Sequence, residues 1–185
     1  MYNPDWVADR PTPIERLTWL KRRINFDVVI DIGSGDDTWF LTKVFPELPT
    51  YKYDKDPKFN KNSNIVELGV DCSLDDLLKN ETFESAFYKI DVDGPELDIL
   101  DGSTNTLQKT SAVMIECVLD DNKFLDRCHW MREKEWQLID VIEPVYRKSN
   151  ILIQVDLVFV RQDTFKIVER ECWFETPDTD YRINT

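Results

Sequence analysis

Apolar residues recur along this chain in two rhythms, one of period near four and one of unbroken short runs. Ile14, Leu17, Leu20 and Ile24 fall three or four residues apart, the spacing of one face of an amphipathic helix. In front of them Thr12, Pro13 and Glu15 form a capping box with proline at the first helical position. The rhythm then changes. "FDVVIDIGSGDD" is a continuous β-branched run that stops at glycines, which predicts a buried strand and a tight turn. A helix follows in "DTWFLTKVF", ended by Pro46, and then two strands in "TYKYDKDP" and "NIVELGVD". "SLDDLLKN" reads as a short helix capped by Ser73, "SAFYKIDVDG" as a fourth strand, and "PELDILDG" as a helix opened by Pro95 and closed by Gly102. "AVMIECVL" is a fifth strand and "NKFLDRCHWMREKE" a helix. "WQLIDVIEPVYR" and "ILIQVDLVFVRQD" end the series as two strands with a short polar connection.

Strands that alternate with helices, each strand nearly all apolar, predict an α/β fold whose mostly parallel sheet is covered on both faces. The last two strands have no helix between them and should form an antiparallel hairpin at one edge. With 185 residues, 42% of them hydrophobic, the chain suits one domain over residues 1–185. A helical arm over 1–25, a core over 26–161 and a tail over 162–185 divide it. Ligands of such sheets bind beyond the carboxyl ends of the strands. Here those ends are "DIGSGDD", "YDKDP", "GVD", "DVDG" and "ECVLDD".

Charge narrows the partners. A net charge of -13 makes nucleic acid a poor general partner, because phosphates repel an acidic surface. The basic cluster "LKRR" at Leu20 to Arg23 reads as a solvated helix end. Cys72, Cys117, Cys128 and Cys172 lie far apart without a C-x-x-C pair, which predicts reduced, mostly buried thiols. No apolar run approaches the about 18 residues of a membrane span, and the N-terminus lacks an export signal. A cytoplasmic location is the default expectation.

"KIDVDGPE" concentrates acid at the end of a strand. Asp91 and Asp93 alternate to the same side of the extended chain, and Glu96 falls in the first turn of the next helix. Asp93 and Glu96 are also favourable simply as carboxylates facing the free N–H groups of a helix start. Asp91, still inside the strand, is better explained by function.

Taken in order, "VVIDIGSG", the acid closing "YKYDKDP", "SLDDLL", "YKIDVDGPELDILDGS" and "VMIECV" resemble the S-adenosylmethionine-dependent methyltransferases of the FkbM type. Their hallmark segment K-I-D-V-E-G-x-E-x-x-x-L-x-G is matched by Lys89, Ile90, Asp91, Val92, Gly94, Glu96, Leu100 and Gly102, with Asp93 in place of the glutamate. The resemblance covers roughly residues 26 to 161. It implies a Rossmann-like class I methyltransferase sandwich with a mostly parallel seven-strand sheet, an antiparallel edge hairpin, and S-adenosylmethionine as cofactor. It further implies that Asp31, Gly33, Ser34 and Gly35 approach the methionine and ribose portions, that Asp54 accepts from the ribose hydroxyls, and that Asp71 is a candidate for the adenine amino group. The reaction it implies is O-methylation of a small molecule or a glycan.

Two positions depart from the family pattern. Asp36 and Asp37 stand where another glycine is usual, and "KFNKNS" is too short for a helical crossover between the second and third strands. The adenine end is then open, completed by another subunit of a homo-oligomer, or lost.

Methyl transfer from a sulfonium needs an acceptor held near attack distance and relieved of its proton. Asp91 and Glu116 are the candidate bases if a dry pocket raises their pKa. Lys89 either pairs with an acid or binds substrate. His129, well inside a predicted helix, is read as a surface residue, and Tyr2, Trp6 and Trp19 as packing aromatics. Two other functions fit the same residues: a divalent-metal enzyme with Asp91, Asp93, Glu96 and Glu116 as oxygen ligands, and a domain that keeps the fold for assembly after losing its cofactor pocket.

Overall fold

The computed structural model describes residues 12–164, apart from 34, 36–38, 57, 59–63, 66, 67, 69–71, 93 and 120–122. Its strands are β1 (Val28–Ile32), β2 (Thr50–Asp54), β3 (Asn64–Ile65), β4 (Ala86–Ile90), β5 (Thr110–Val118), β6 (Trp136–Tyr146) and β7 (Leu152–Arg161). They form a mixed sheet in the order β3-β2-β1-β4-β5-β7-β6. The helices are α1 (Pro13–Lys21), α2 (Trp39–Val44), α3 (Leu74–Leu78), α4 (Glu96–Asp101), α5 (Thr104–Gln108) and α6 (Lys123–Glu133). β1 and β4, buried at every position, pair in parallel from Val28↔Ala86 to Ile32↔Ile90 at the centre, where the strand order reverses. Ligands of doubly wound sheets bind in the crevice that opens at such a reversal.

Alternation along each strand divides the core into two layers. Ile30, Ile32, Tyr88, Ile90, Ile115, Cys117 and Leu157 pack with Leu74, Ile99, Leu100 and Met131 from α3, α4 and α6. Val29, Phe87, Met114, Val158 and Val160 face the other way, against Leu17 and Leu20 of α1 and Phe40, Leu41 and Val44 of α2. Phe26, Phe45 and Phe87 close that second layer, with edge-on ring contacts of 5.7 Å from Phe26 to each of the others.

Local signals behave as expected at several ends. Thr12 and Glu15 make the capping box of α1, and Ser73 and Asp76 make one for α3. β6 and β7 pair antiparallel, with β6 at the edge. Lys21 of the basic cluster donates to the Val44 carbonyl at 2.7 Å and pairs with Glu47 at 2.6 Å, while the Arg23 guanidinium lies 4.1 Å over Trp19. The cluster ties α1 to its surroundings and does not present a free cationic patch.

Other boundaries shift. β4 ends at Ile90, so Asp91 is the first residue beyond the strand. Of the third strand, Asn64–Ile65 pair in parallel with Tyr53 and Asp54, and an isolated bridge joins Leu68 and Cys72. Helix α5 is absent from the pattern reading, and it owes its start to another element. Asp75 of α3 accepts from the backbone N–H groups of Asn105 at 2.7 Å and Thr106 at 2.8 Å. No helix among the described residues is long and apolar enough to cross a membrane. Tyr2, Trp6 and Cys172 lie outside the described residues.

Candidate active site

Three sequence motifs meet at the carboxyl ends of β2, β1 and β4. Beyond β1 the chain turns sharply: Gly33 has φ +72°, and its N–H donates to Tyr53 O at 2.9 Å. Gly35 then brings its own N–H to Asp54 Oδ2 at 3.1 Å, while Asp56 N–H donates to Asp54 Oδ1 at 2.8 Å. The Asp54 carboxylate is thus fixed at the end of β2, one backbone donor on each oxygen. On the other side Asp91 N–H donates to Ile32 O at 2.9 Å, which locks the start of the acid-rich turn to β1. Asp31, proposed from sequence for the cofactor, is fully buried within β1, so its carboxylate belongs to the interior and not to the rim. Ser34, Asp71, Asp93, Asp36 and Asp37 lie outside the described residues.

A polar row crosses the sheet next to these ends. On the α1 and α2 side, Lys89 and Glu116 sit two residues beyond Phe87 and Met114, and Asp156 two residues before Val158, so all three share a face by alternation. Glu116 and Asp156 are direct register partners across β5 and β7. Lys89, only 2% exposed, pairs with the Asp91 carboxylate. Gln154 donates its side-chain amide to Glu116. Burial, a hydrogen bond with Asp91 and the negative charge of Asp91 and Asp156 push the Glu116 carboxyl up to about 8, against a smaller opposing pull from Lys89. Burial likewise raises Asp156 to about 7, with Lys89 again opposing and Asp91 and Glu143 adding. Near neutral pH the group therefore holds protons that exposed carboxylates would have released.

Of the two roles expected for Lys89, the structure shows the pairing with an acid. Asp156 and Gln154 were missed in the sequence. Their only signal was a polar residue at alternating positions within the apolar run of β7.

Glu96 is a correction. As a metal candidate it should reach the rim; instead it is 3% exposed, with Oε2 2.6 Å from Arg127 Nη2 of α6. A buried guanidinium neutralises it, which leaves no role as a rim ligand. Among the described residues no three His, Cys, Asp or Glu side chains converge as a metal-binding group. His129 is exposed on α6, as read. Cys117 is buried, and Cys72 and Cys128 are half-buried. A cleft of about 450 Å³ lined by Leu100, Trp130, Lys134, Trp136 and Arg161 opens at the opposite end of the sheet, away from these carboxylates.

No protein-family model and no curated protein matches the sequence. Among solved structures the chain is similar to M. capricolum TrmK, solved with the cofactor product S-adenosylhomocysteine. The TM-score is 0.52 at 14% identity, over 83% of this chain and 69% of that one. It is also similar to the 23S rRNA methyltransferase ErmE, with a TM-score of 0.51 at 13% identity over 80% of this chain and 66% of that one. The chain thus spans about two thirds of the length of either neighbour. At such identity the likeness is one of architecture: this chain has the Rossmann-like α/β fold of methyltransferases.

Proposed function

We propose that this protein is an S-adenosylmethionine-dependent methyltransferase that O-methylates a small molecule or glycan. The observation that carries the reading is Asp54, whose carboxylate is held by the Gly35 and Asp56 amides beside the β1 turn. Each oxygen has accepted one N–H and keeps acceptor capacity for a vicinal diol, so the donor set fits the ribose of the cofactor. When bound, S-adenosylmethionine supplies an electrophilic methyl group. The chain's own part is to place the acceptor and take its proton. Asp91, at the neighbouring strand end, is the candidate base, with Lys89 holding its carboxylate and Glu116 beside it.

The acidity of the chain supports a small or neutral acceptor over RNA, and the wide spacing of its cysteines, without a C-x-x-C pair, supports a reducing cytoplasm. One test separates the readings. Calorimetry with S-adenosylmethionine and S-adenosylhomocysteine should give saturable binding, and methyl label should pass to a small-molecule or glycan pool in preference to RNA. Absence of binding to both cofactor forms would leave a fold retained for assembly, and label in RNA alone would replace the acceptor assignment.

A further inference from the structure

The layer between α4 and α6 contains a charged pair that the strand-end chemistry does not use. Arg127, 3% exposed, directs Nη2 to Glu96 and donates Nη1 to the Lys123 carbonyl at 3.0 Å, while its Nε has no partner. A buried ion pair is seldom more stabilising than apolar side chains of similar volume, so packing alone gives no reason for it. Its position does. Glu96 opens α4, and its Oε1 faces the N–H of Gly94 at 3.4 Å, in the short turn that begins at Asp91. Arg127 stands in the helix that follows β5, the strand of Glu116. The pair therefore connects the segment after β4 with the segment after β5, two neighbouring strands whose pairing of Ile90 with Ile115 sets Asp91 beside Glu116.

We propose that Arg127 is a positioning residue: through Glu96 it fixes the turn after β4 and so keeps Asp91 within hydrogen-bonding reach of Glu116. The consequence for catalysis rests on the methyltransferase reading, whereas the geometric claim does not.

The test compares Arg127→Met, Glu96→Leu and the double variant by thermal unfolding and by carboxyl-carbon NMR titration of Glu116. Burial, Asp91, Asp156 and Lys89 set the titration of Glu116, and Glu96 and Arg127 are not among its causes. A midpoint that moves to that of Asp91→Asn, measured beside it, therefore reports a displaced Asp91. Each single variant should melt early, because it leaves one buried charge alone, and the double variant should recover most of that loss. In the double variant the Glu116 midpoint should still fall by about one pH unit. A double variant that both melts and titrates like wild type overturns the proposal and leaves the pair a core feature only. Should the double variant fail to fold, Arg127→Lys serves instead, since an ammonium lacks the two-nitrogen fork by which Arg127 reaches the Lys123 carbonyl through Nη1 and Glu96 through Nη2. Its Glu116 midpoint should move the same way, and an unmoved one overturns the proposal equally. Calorimetry of the wild type with S-adenosylhomocysteine is run beside these titrations: absence of binding removes the methyltransferase reading and leaves the positional result standing.

Discussion

Gly33 and Asp91 pack backbone to backbone so tightly that a Cβ built on Gly33 would lie 1.7 Å from the Asp91 carbonyl oxygen. The glycine turn after β1 and the acid-rich turn after β4 are therefore one structural unit. Gly33 is required by the protein itself, before any cofactor enters. Gly33→Ala must displace Asp91 and also hold an L side chain at φ +72°, so it should cost about 2 kcal/mol or more. Denaturant unfolding without cofactor measures it. An alanine variant as stable as wild type would mean that the turn can move away from β4.

Asp54 carries a double duty, and its replacement should show both. Asp54→Ala removes the acceptor of the Gly35 and Asp56 N–H groups, a loss of about 1 kcal/mol in unfolding free energy. It should also weaken S-adenosylhomocysteine binding more than tenfold by calorimetry. Stability lost with affinity intact would make Asp54 a turn residue alone.

The alternation of apolar runs with capped helices sufficed for the strand series, because β1 and β4 are buried on both faces and Thr12 and Ser73 act within their own helices. Helix α5 was not legible, since its N–H groups are satisfied by Asp75 from a distant element and five residues leave no period to detect. At the site, Asp54, Gly33, Gly35 and Asp91 are marked by strand ends that local sequence reveals. Glu96 was misplaced because a carboxylate at a helix start looks the same whether water or Arg127 faces it. Asp156 was hidden for a related reason: only pairing across β5 and β7 puts it opposite Glu116.

Lys89 makes the obvious test of Asp91 a double one. Asp91→Asn takes the paired charge from an ammonium that is 2% exposed, so the variant should melt earlier than wild type. Adding Lys89→Met removes the stranded charge and should restore much of the melting temperature. Methyl transfer should remain down by about a hundredfold in the double variant if Asp91 is the base. Recovery of transfer together with stability would demote Asp91 to a structural partner.

Asp75 predicts an effect on folding without one on binding. Its carboxylate accepts from Asn105 N, Thr106 N and Thr106 Oγ1 within 2.8 Å, and so caps α5 from α3. Asp75→Ala should destabilise by about 1 kcal/mol in chemical unfolding while S-adenosylhomocysteine affinity stays within twofold. A change in affinity would couple α5 to the rim, which no contact on this side of the sheet suggests.

The protons held by Glu116 and Asp156 set the pH dependence of stability. Both carboxyls are raised, chiefly by burial, from ordinary values of 4.5 and 3.8 to about 8 and about 7. In the folded state they bind protons that the unfolded chain has already released, so unfolding becomes more favourable as pH climbs between those limits. Their contribution is complete below the unfolded values and is lost as pH rises through the folded ones. Melting temperature should therefore fall from about pH 5 to pH 8 and level off above. Glu116→Gln and Asp156→Asn, which keep the shape and cannot ionise, should each flatten that slope and make the variant relatively more stable at pH 8.5 than at pH 5.5. Scanning calorimetry across the range decides it: parallel curves for wild type and variants would mean that neither carboxyl holds its proton.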